Sequence, residues 1–495
     1  MLMYTQLIGF AALIFLFSLI LRILPHLSKE VGGADCWFYL IYVRELKKNK
    51  KFPPKFHYFI LDHPEQWYPP GFPLFLSLFP ESLLQKWHWL ISPIIDCLHG
   101  LIVYFFCYWF TGSLYASIAA GVSYAVVPTL YSENRNLNSR ALSSLLFSAN
   151  MLCLFLFVKS PSWTLAVPLL VSGFLVLMTH KMATQVMAFA YLFLGIHLWK
   201  AYVPLLFLVI MGLTFALSAG FYGKVLKAHF DILAFWRRHI DEVRAHQVFE
   251  SHVYRDPNRK TDRLYLPGWR GVSKKIINLL AHNPLILMLP LFVKAGPDFF
   301  SGWLFAVIAL ILLTTFFSPM IFLGEGFKYI KYLAFPQSLF LGIYACSVKE
   351  ILWANIVIAA FGLLSLGVMV YLHIYTNRES LGKVSGVDNS LKEILEVVRQ
   401  LPGEKFLCLP TPIGEVLAYK TGKKVLSGGH GYGFNNLEGF FPVLQRPLEG
   451  FFKEYGIAYF LLDEEFVPVS HFSMDDSVLL KLTSSGKYSL YQVKL

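Results

Sequence analysis

GGADCWFYLIYVRE (32–45) and HPEQWYPPGFPLFL (63–76) lie in the polar stretch between the first two long apolar runs of the chain. The first run, LIGFAALIFLFSLIL (7–21), reads as a signal anchor, because it lacks a basic n-region and a small-residue cleavage site. An acid just past a membrane helix, followed by a proline-stiffened return, costs more than a plain connector requires. We read the segment 25–87 as a catalytic loop on a bilayer surface, with Asp35 as its acid.

The whole chain fits that setting. Of 495 residues, 56% are hydrophobic and only 15% charged, whereas soluble domains carry about 25% charged residues. The net charge of +12 suits anionic lipid or phosphate-bearing substrates, and no nucleic-acid motif accompanies it. The six cysteines are scattered, without a CxxC pair or a disulfide framework.

A bilayer span needs about 20 apolar residues. Candidates fall near 7–24, 88–110, 113–131, 141–158, 163–179, 183–199, 202–222, 275–293, 299–317, 329–347 and 351–374, about eleven in all. The expected fold is a polytopic α-helical membrane protein, residues 1–375, with a small soluble α/β domain over 376–495. In that second part LKEILEVVRQ (391–400) and IGEVLAYK (413–420) read as helices. KFLCLP (405–410), KKVLSG (423–428), IAYFLLD (457–463) and YSLYQVK (488–494) read as strands.

Parity then gathers the polar features. With a cytoplasmic N-terminus, the far side collects loop 25–87, YSENRNLNSR (131–140), THKMAT (179–184), loop 223–274, SPMIFLGEGFKY (318–329) and the C-terminal domain. The near side keeps short connectors around Thr111, Lys159, Lys200, Lys294 and Lys349. RELKKNKK (44–51) sits in a far-side loop too long for the positive-inside rule to govern.

Asp35 opens a segment of helical composition, Asp35 through Lys51, suited to lying in the interface plane. A partly desolvated carboxylate there gains basicity and takes a proton from an acceptor hydroxyl, or it merely caps the helix. WYPPGFP (67–73) has φ fixed at Pro69, Pro70 and Pro73; with Trp67 and Tyr68 it forms a cavity wall or an interfacial anchor. Glu133 is a second acid, a metal ligand or an arginine partner. Arg135 and Arg140 are candidate phosphate clamps. His180, Lys181, Lys328, Tyr329 and Lys331 add cationic and phenolic groups for a phosphate, against the alternative of snorkelling lysines. KVLKAHFDILAFWRRHIDEVRAHQVF (224–249) reads as an interfacial helix covering the cavity. Its His239 and His246 lack a metal-ligand spacing. GGHGYG (428–433) reads as a flexible loop, not a phosphate site.

This order of features resembles the membrane-embedded GT-C glycosyltransferase superfamily. Asp35 in GADCWFYLIYVREL looks like the first-loop catalytic aspartate. WYPPGFPLFL is similar to the proline-proline segment of aminoarabinose and mannosyl transferases of this class. GEGFKYIKY resembles the Arg-Tyr stretch that ends a late far-side loop, with Lys328 where Arg is usual. The resemblance implies an inverting enzyme with a polyprenyl-phosphate or polyprenyl-diphosphate sugar as donor and a lipid, glycan or protein as acceptor. It implies extracytoplasmic chemistry, expected at a prokaryotic plasma membrane. No WWDYG motif is present, and NSRALSSLLFS (138–148) lacks the acidic pair that follows the similar Ser-Arg segment in oligosaccharyltransferases. No cofactor is assigned, and a divalent metal is left open. The rival readings are a lipid-linked sugar transporter or flippase, disfavoured by polar residues gathered at span ends, and a polysaccharide polymerase.

Overall fold

The computed structural model describes residues 2–26, 34–55, 57–243, 247–256, 268–292, 297–378, 387–428, 434–474 and 477–494. The start of the first loop, His246 and most of GGHGYG lie outside the described residues.

Helices α1 (Leu2–Ile23), α2 (Ala34–Asn49), α3 (Gly71–Ser77), α4 (Glu81–Thr111), α5 (Leu114–Ala125), α6 (Pro128–Glu133) and α7 (Ser139–Lys159) build the first half. They are followed by α8 (Trp163–Thr179), α9 (Lys181–His197), α10 (Tyr202–Leu217), α11 (Phe221–Arg238), α12 (Gly268–His282), α13 (Leu289–Phe292), α14 (Asp298–Phe316), α15 (Ile330–Ser347) and α16 (Leu352–Arg378). The protein is an integral membrane protein: among the described residues five helices are long and apolar enough to cross a bilayer. The count is six if the bent pair α10–α11 is one span. Two shorter apolar helices, α5 and α8, accompany them among the described residues, so length and composition do not confirm the expected count of about eleven spans.

The differences have local causes. The stretch 113–131 is split between α5 and α6 because Pro128 has no N–H to continue the ladder. The expected span 275–293 is not one helix: α12 stops at His282, and Pro284 starts a separate 3-10 turn. Gly271, Lys275 and Leu279 are the buried side of α12, one helical stripe, as in a helix lying along a surface. Between α10 and α11 the axis turns by 119°. Gly220, in a left-handed conformation (φ 80°), lies at that bend.

The C-terminal part contains α17 (Asn389–Gln400), α18 (Ile413–Thr421), α19 (Phe434–Leu437) and α20 (Leu448–Tyr455) around a five-stranded sheet. Its strands are β1 (Lys405–Leu409), β2 (Lys424–Val425), β3 (Tyr459–Asp463), β4 (Leu479–Ser485) and β5 (Tyr488–Val493), in the order β2-β1-β3-β5-β4. β1 is parallel to β2 and β3; β5 is antiparallel to β3 and β4. Alternation along β1 divides two cores. Phe406 and Cys408 pack with α17, α18 and α2. Leu407 and Leu409 pack with α20, Phe235 of α11 and the segment Val248–Phe249. The sheet is thus joined to both long loops of the membrane part.

α2 does not lie in the interface with one wet face. Cys36 through Val43 are all buried, because the helix is wedged between the membrane helices and α18. Its C-terminal turns, with Lys47 and Lys48, keep the solvent contact that their charges require, and Asp35 at its start is half-buried.

Candidate active site

Three chain reversals bring the expected residues to one end of the helix bundle. α2 carries Asp35 in its first turn. The α6–α7 turn carries Glu133 and Arg140, and Asn138 caps α7 by accepting from the Arg140 N–H at 2.9 Å. The α8–α9 junction carries His180 and Lys181, the segment before α15 carries Lys328 and Tyr329, and the first turn of α15 carries Lys331.

Glu133 is the hub. Arg140 Nη1 donates to both its oxygens, at 3.0 and 2.9 Å, and Lys331 Nζ lies 3.7 Å away. Burial opposes ionisation of Glu133, but the charges of Arg140 and Lys331 outweigh it and hold the carboxyl at about 2. Of the three roles read from the sequence, the geometry displays the arginine partner. Glu133, Arg140 and Lys331 line a small cavity together with Asn134, Asn138, Ser144 and Asp96. On its rim two buried cationic donors, Arg140 Nε and Lys331 Nζ, have no hydrogen-bond acceptor among the described residues.

Asp35 is half-buried and lies within electrostatic reach of Tyr39, Tyr68, Arg140 and Lys181. Burial first, then the charge of Asp35, push the Tyr68 phenol above its usual range, so it stays protonated. Tyr39 donates to Tyr68 Oη at 2.8 Å and stands 2.9 Å from Ser139 Oγ at the start of α7. This hydroxyl cluster ties α2, the proline segment and α7 together just behind Asp35.

The proline segment is packed close to the same helix ends. Pro69 and Pro70 are buried, and Tyr68 is almost fully so. At Gly71 the backbone meets the end of α8 so closely that a Cβ would sit 2.7 Å from Thr179 Oγ1 and 2.8 Å from Met178 O. Glycine is required there, and the contact sets the proline segment against the turn that carries His180 and Lys181. Trp67 is half-buried against the membrane-helix core, its indole N–H donating to Glu65 at 2.9 Å.

Other expected residues are committed elsewhere. Lys328 pairs with Glu325 at 2.9 Å, though its charge still reaches Glu133, Lys181 and Lys331. The Tyr329 hydroxyl is held by Gln185 Oε1 and Leu323 O, at 2.8 and 2.7 Å. Arg135 points to His26 and Tyr131 as its electrostatic neighbours. His180 is buried at the helix junction.

Sequence reasoning counted Tyr332 among the phenolic groups entering this span but missed three contributors, Arg22, Asp96 and Tyr124. Tyr332 lies 3.3 Å from Ser143 Oγ and within reach of Glu133 and Arg140. Arg22 and Asp96 form a fully buried pair at 2.6 Å beneath the cavity. Arg22 also donates to the Ala125 carbonyl at 2.6 Å, satisfying the end of α5 where no water reaches. Tyr124 donates to Asp96 at 2.9 Å. An arginine and an aspartate inside apolar runs were the available signal.

A divalent metal does not fit the donors as arranged. Among the described residues no three His, Cys, Asp or Glu side chains converge, and both Glu133 oxygens already accept from Arg140.

With this geometry established, the backbone was compared with solved structures. The apo Archaeoglobus fulgidus oligosaccharyltransferase superposes with a TM-score of 0.57 at 14% identity, over 93% of this chain and 70% of that chain. The Archaeoglobus fulgidus oligosaccharyltransferase AglB in complex with an inhibitory peptide and a dolichol-phosphate gives the same score and identity, over 93% and 69%. This chain has the GT-C fold. A third structure, the same organism's oligosaccharyltransferase with Zn and sulfate, matches at 0.52 and 16% identity over 92% and 68%. No protein-family profile matches the chain, and no curated protein matches its sequence. The GT-C frame therefore rests on backbone shape.

Proposed function

We propose that the protein is a membrane glycosyltransferase that moves a sugar from a polyprenyl-phosphate or polyprenyl-diphosphate donor to an acceptor on the extracytoplasmic face. The observation that carries this reading is the buried cationic pair Arg140 and Lys331 beside a cavity at the end of the bundle: among the described residues Arg140 Nε has no hydrogen-bond acceptor, and Lys331 Nζ is ion-paired with Glu133 only at 3.7 Å, beyond a normal hydrogen bond. Buried donors are nearly always satisfied, and a phosphate supplies the acceptors that these two lack. Lys181, whose nearest acid by electrostatic reach is Asp35, and Lys328 extend the positive field. Together they stabilise the charge that develops on a departing phosphate.

Asp35 serves this reaction as the base, or as the acid that orients the acceptor nucleophile, within electrostatic reach of Arg140 and Lys181. Inversion at the sugar follows if the acceptor attacks in one displacement opposite the leaving phosphate. The proline segment and Tyr68 wall the site. The neighbour solved with a dolichol-phosphate supports a lipid-linked donor for this fold. The peptide bound to that neighbour, an inhibitory one, is not carried over, since the WWDYG motif is missing from this sequence.

The test is binding of undecaprenyl phosphate to the purified protein in nanodiscs. K331M and K181M should each weaken binding by roughly tenfold or more, the weight of one charge-assisted hydrogen bond. Wild-type affinity in both variants would remove the phosphate from this cluster.

A further inference from the structure

We propose that the C-terminal sheet is a clamp on the loop that carries Asp35, with Val425 and Tyr419 as positioning residues. The proposal rests on the glycosyl-transfer reading only for what Asp35 does.

β2 is two residues long and stands at the edge of the sheet. Its inner side is used by β1, to which Leu426 donates at Phe406 O, 2.8 Å. The outward N–H and C=O of Val425 go to the first loop. The Val425 N–H donates to Tyr58 O at 2.7 Å, and the Ile60 N–H donates to Val425 O at 2.9 Å. The Leu61 N–H adds a bond to Leu426 O at 3.0 Å. Phe59 pairs in parallel with Val425 and is buried. The first loop thus completes the sheet by strand addition and covers an edge that would otherwise be open.

A second contact grips α2 beside Asp35. Trp37, two residues on from Asp35, packs on the Tyr419 ring at 5.4 Å between centroids, with Lys420 Nζ 5.0 Å over the Trp37 ring. Arg44 lies 4.0 Å over the other partner ring, Tyr419, and donates to the Tyr419 carbonyl at 2.8 Å. Two stretches of the first loop, α2 and residues 58–61, are therefore held by one unit that is remote in sequence. Through these bonds and ring contacts the sheet sets where α2 and Asp35 stand.

Two native thiols report on this arrangement. Cys36, next to Asp35, is fully buried, and Cys408 lies inside β1. In V425P the proline removes the N–H used by Tyr58 and leaves the bonds between β1 and β2 intact. We expect alkylation of Cys36 in the full-length protein, read by peptide mass spectrometry, to rise roughly five- to tenfold, the effect of one lost hydrogen bond on local opening. Cys408 should stay protected. Y419A should act in the same direction by releasing Trp37 and Arg44. V425I, which retains the N–H, should label as wild type. Unchanged Cys36 labelling in V425P and Y419A overturns the clamp, whether or not Cys408 becomes exposed. Because alkylation does not depend on transfer, failure of the clamp and failure of the glycosyl-transfer reading give separate results.

Discussion

Replacing Glu133 by Gln tests the electrostatics on which the site depends. The substitution preserves shape and removes one negative charge from between Arg140 and Lys331. Holding the carboxyl at about 2 against an ordinary value of 4.5 corresponds to about 3 kcal/mol at 1.36 kcal/mol per pH unit. Breaking a buried ion pair from one side costs a similar amount, about 3–5 kcal/mol. E133Q should therefore lose about 3 kcal/mol in thermal unfolding of the detergent-solubilised protein at neutral pH. The folded-state value is depressed, so the stabilisation is fully present above about pH 4.5 and fades as pH falls toward 2. The gap between wild type and E133Q should close over that range. E133Q/K331M, which also removes the orphaned ammonium, should recover part of the loss. An E133Q protein as stable as wild type at pH 7, or a gap that widens on acidification, would refute the hub assignment.

Two more substitutions examine the support of the site. D96N leaves Arg22 buried without its counter-charge and should cost about 3–5 kcal/mol in the same unfolding assay; a change below about 1 kcal/mol would show that the pair is not holding α1 to α4. Y68F removes the acceptor of the Tyr39 hydroxyl while Ser139 remains beside it. It should cost about 1 kcal/mol, and a loss as large as that of D96N would mean that the proline segment is anchored by this hydroxyl alone.

Much of the arrangement was legible in the sequence because bilayer physics writes it there. Long apolar runs marked α1, α4, α7, α14 and α16, and parity gathered Asp35, Glu133, Arg135, Lys181 and Lys328 on one face; in the structure Asp35 and Lys328 lie within electrostatic reach of Lys181, and Lys328 within reach of Glu133. The period-2 and period-3.6 patterns located β1, β3, β5, α17 and α18. The exposed edge strand β4 escaped notice because its SVLLKLTSS stretch (477–485) mixes polar and apolar residues without a clean alternation. Span integrity was harder to read. Whether 113–131 or 275–293 is continuous depends on Pro128 and Pro284 acting as breaks, and hydropathy averages over them. Partner choice was not legible at all. Lys328 with Glu325, Tyr329 with Gln185, and Arg135 near His26 depend on distances that residue type does not encode. The same holds for α2, whose charged C-terminal turns suggested an interfacial helix while its aromatic first half is buried against α18.

The central claim is that Asp35 performs transfer on a donor held by the cations around Glu133. The direct measurement is sugar transfer from a panel of undecaprenyl-phosphate sugars by wild-type and D35N protein in proteoliposomes, alongside undecaprenyl phosphate binding. The account predicts transfer from at least one donor by the wild type. D35N should retain wild-type binding and lose transfer by about 100-fold or more. Transfer by folded D35N at the wild-type rate would contradict it.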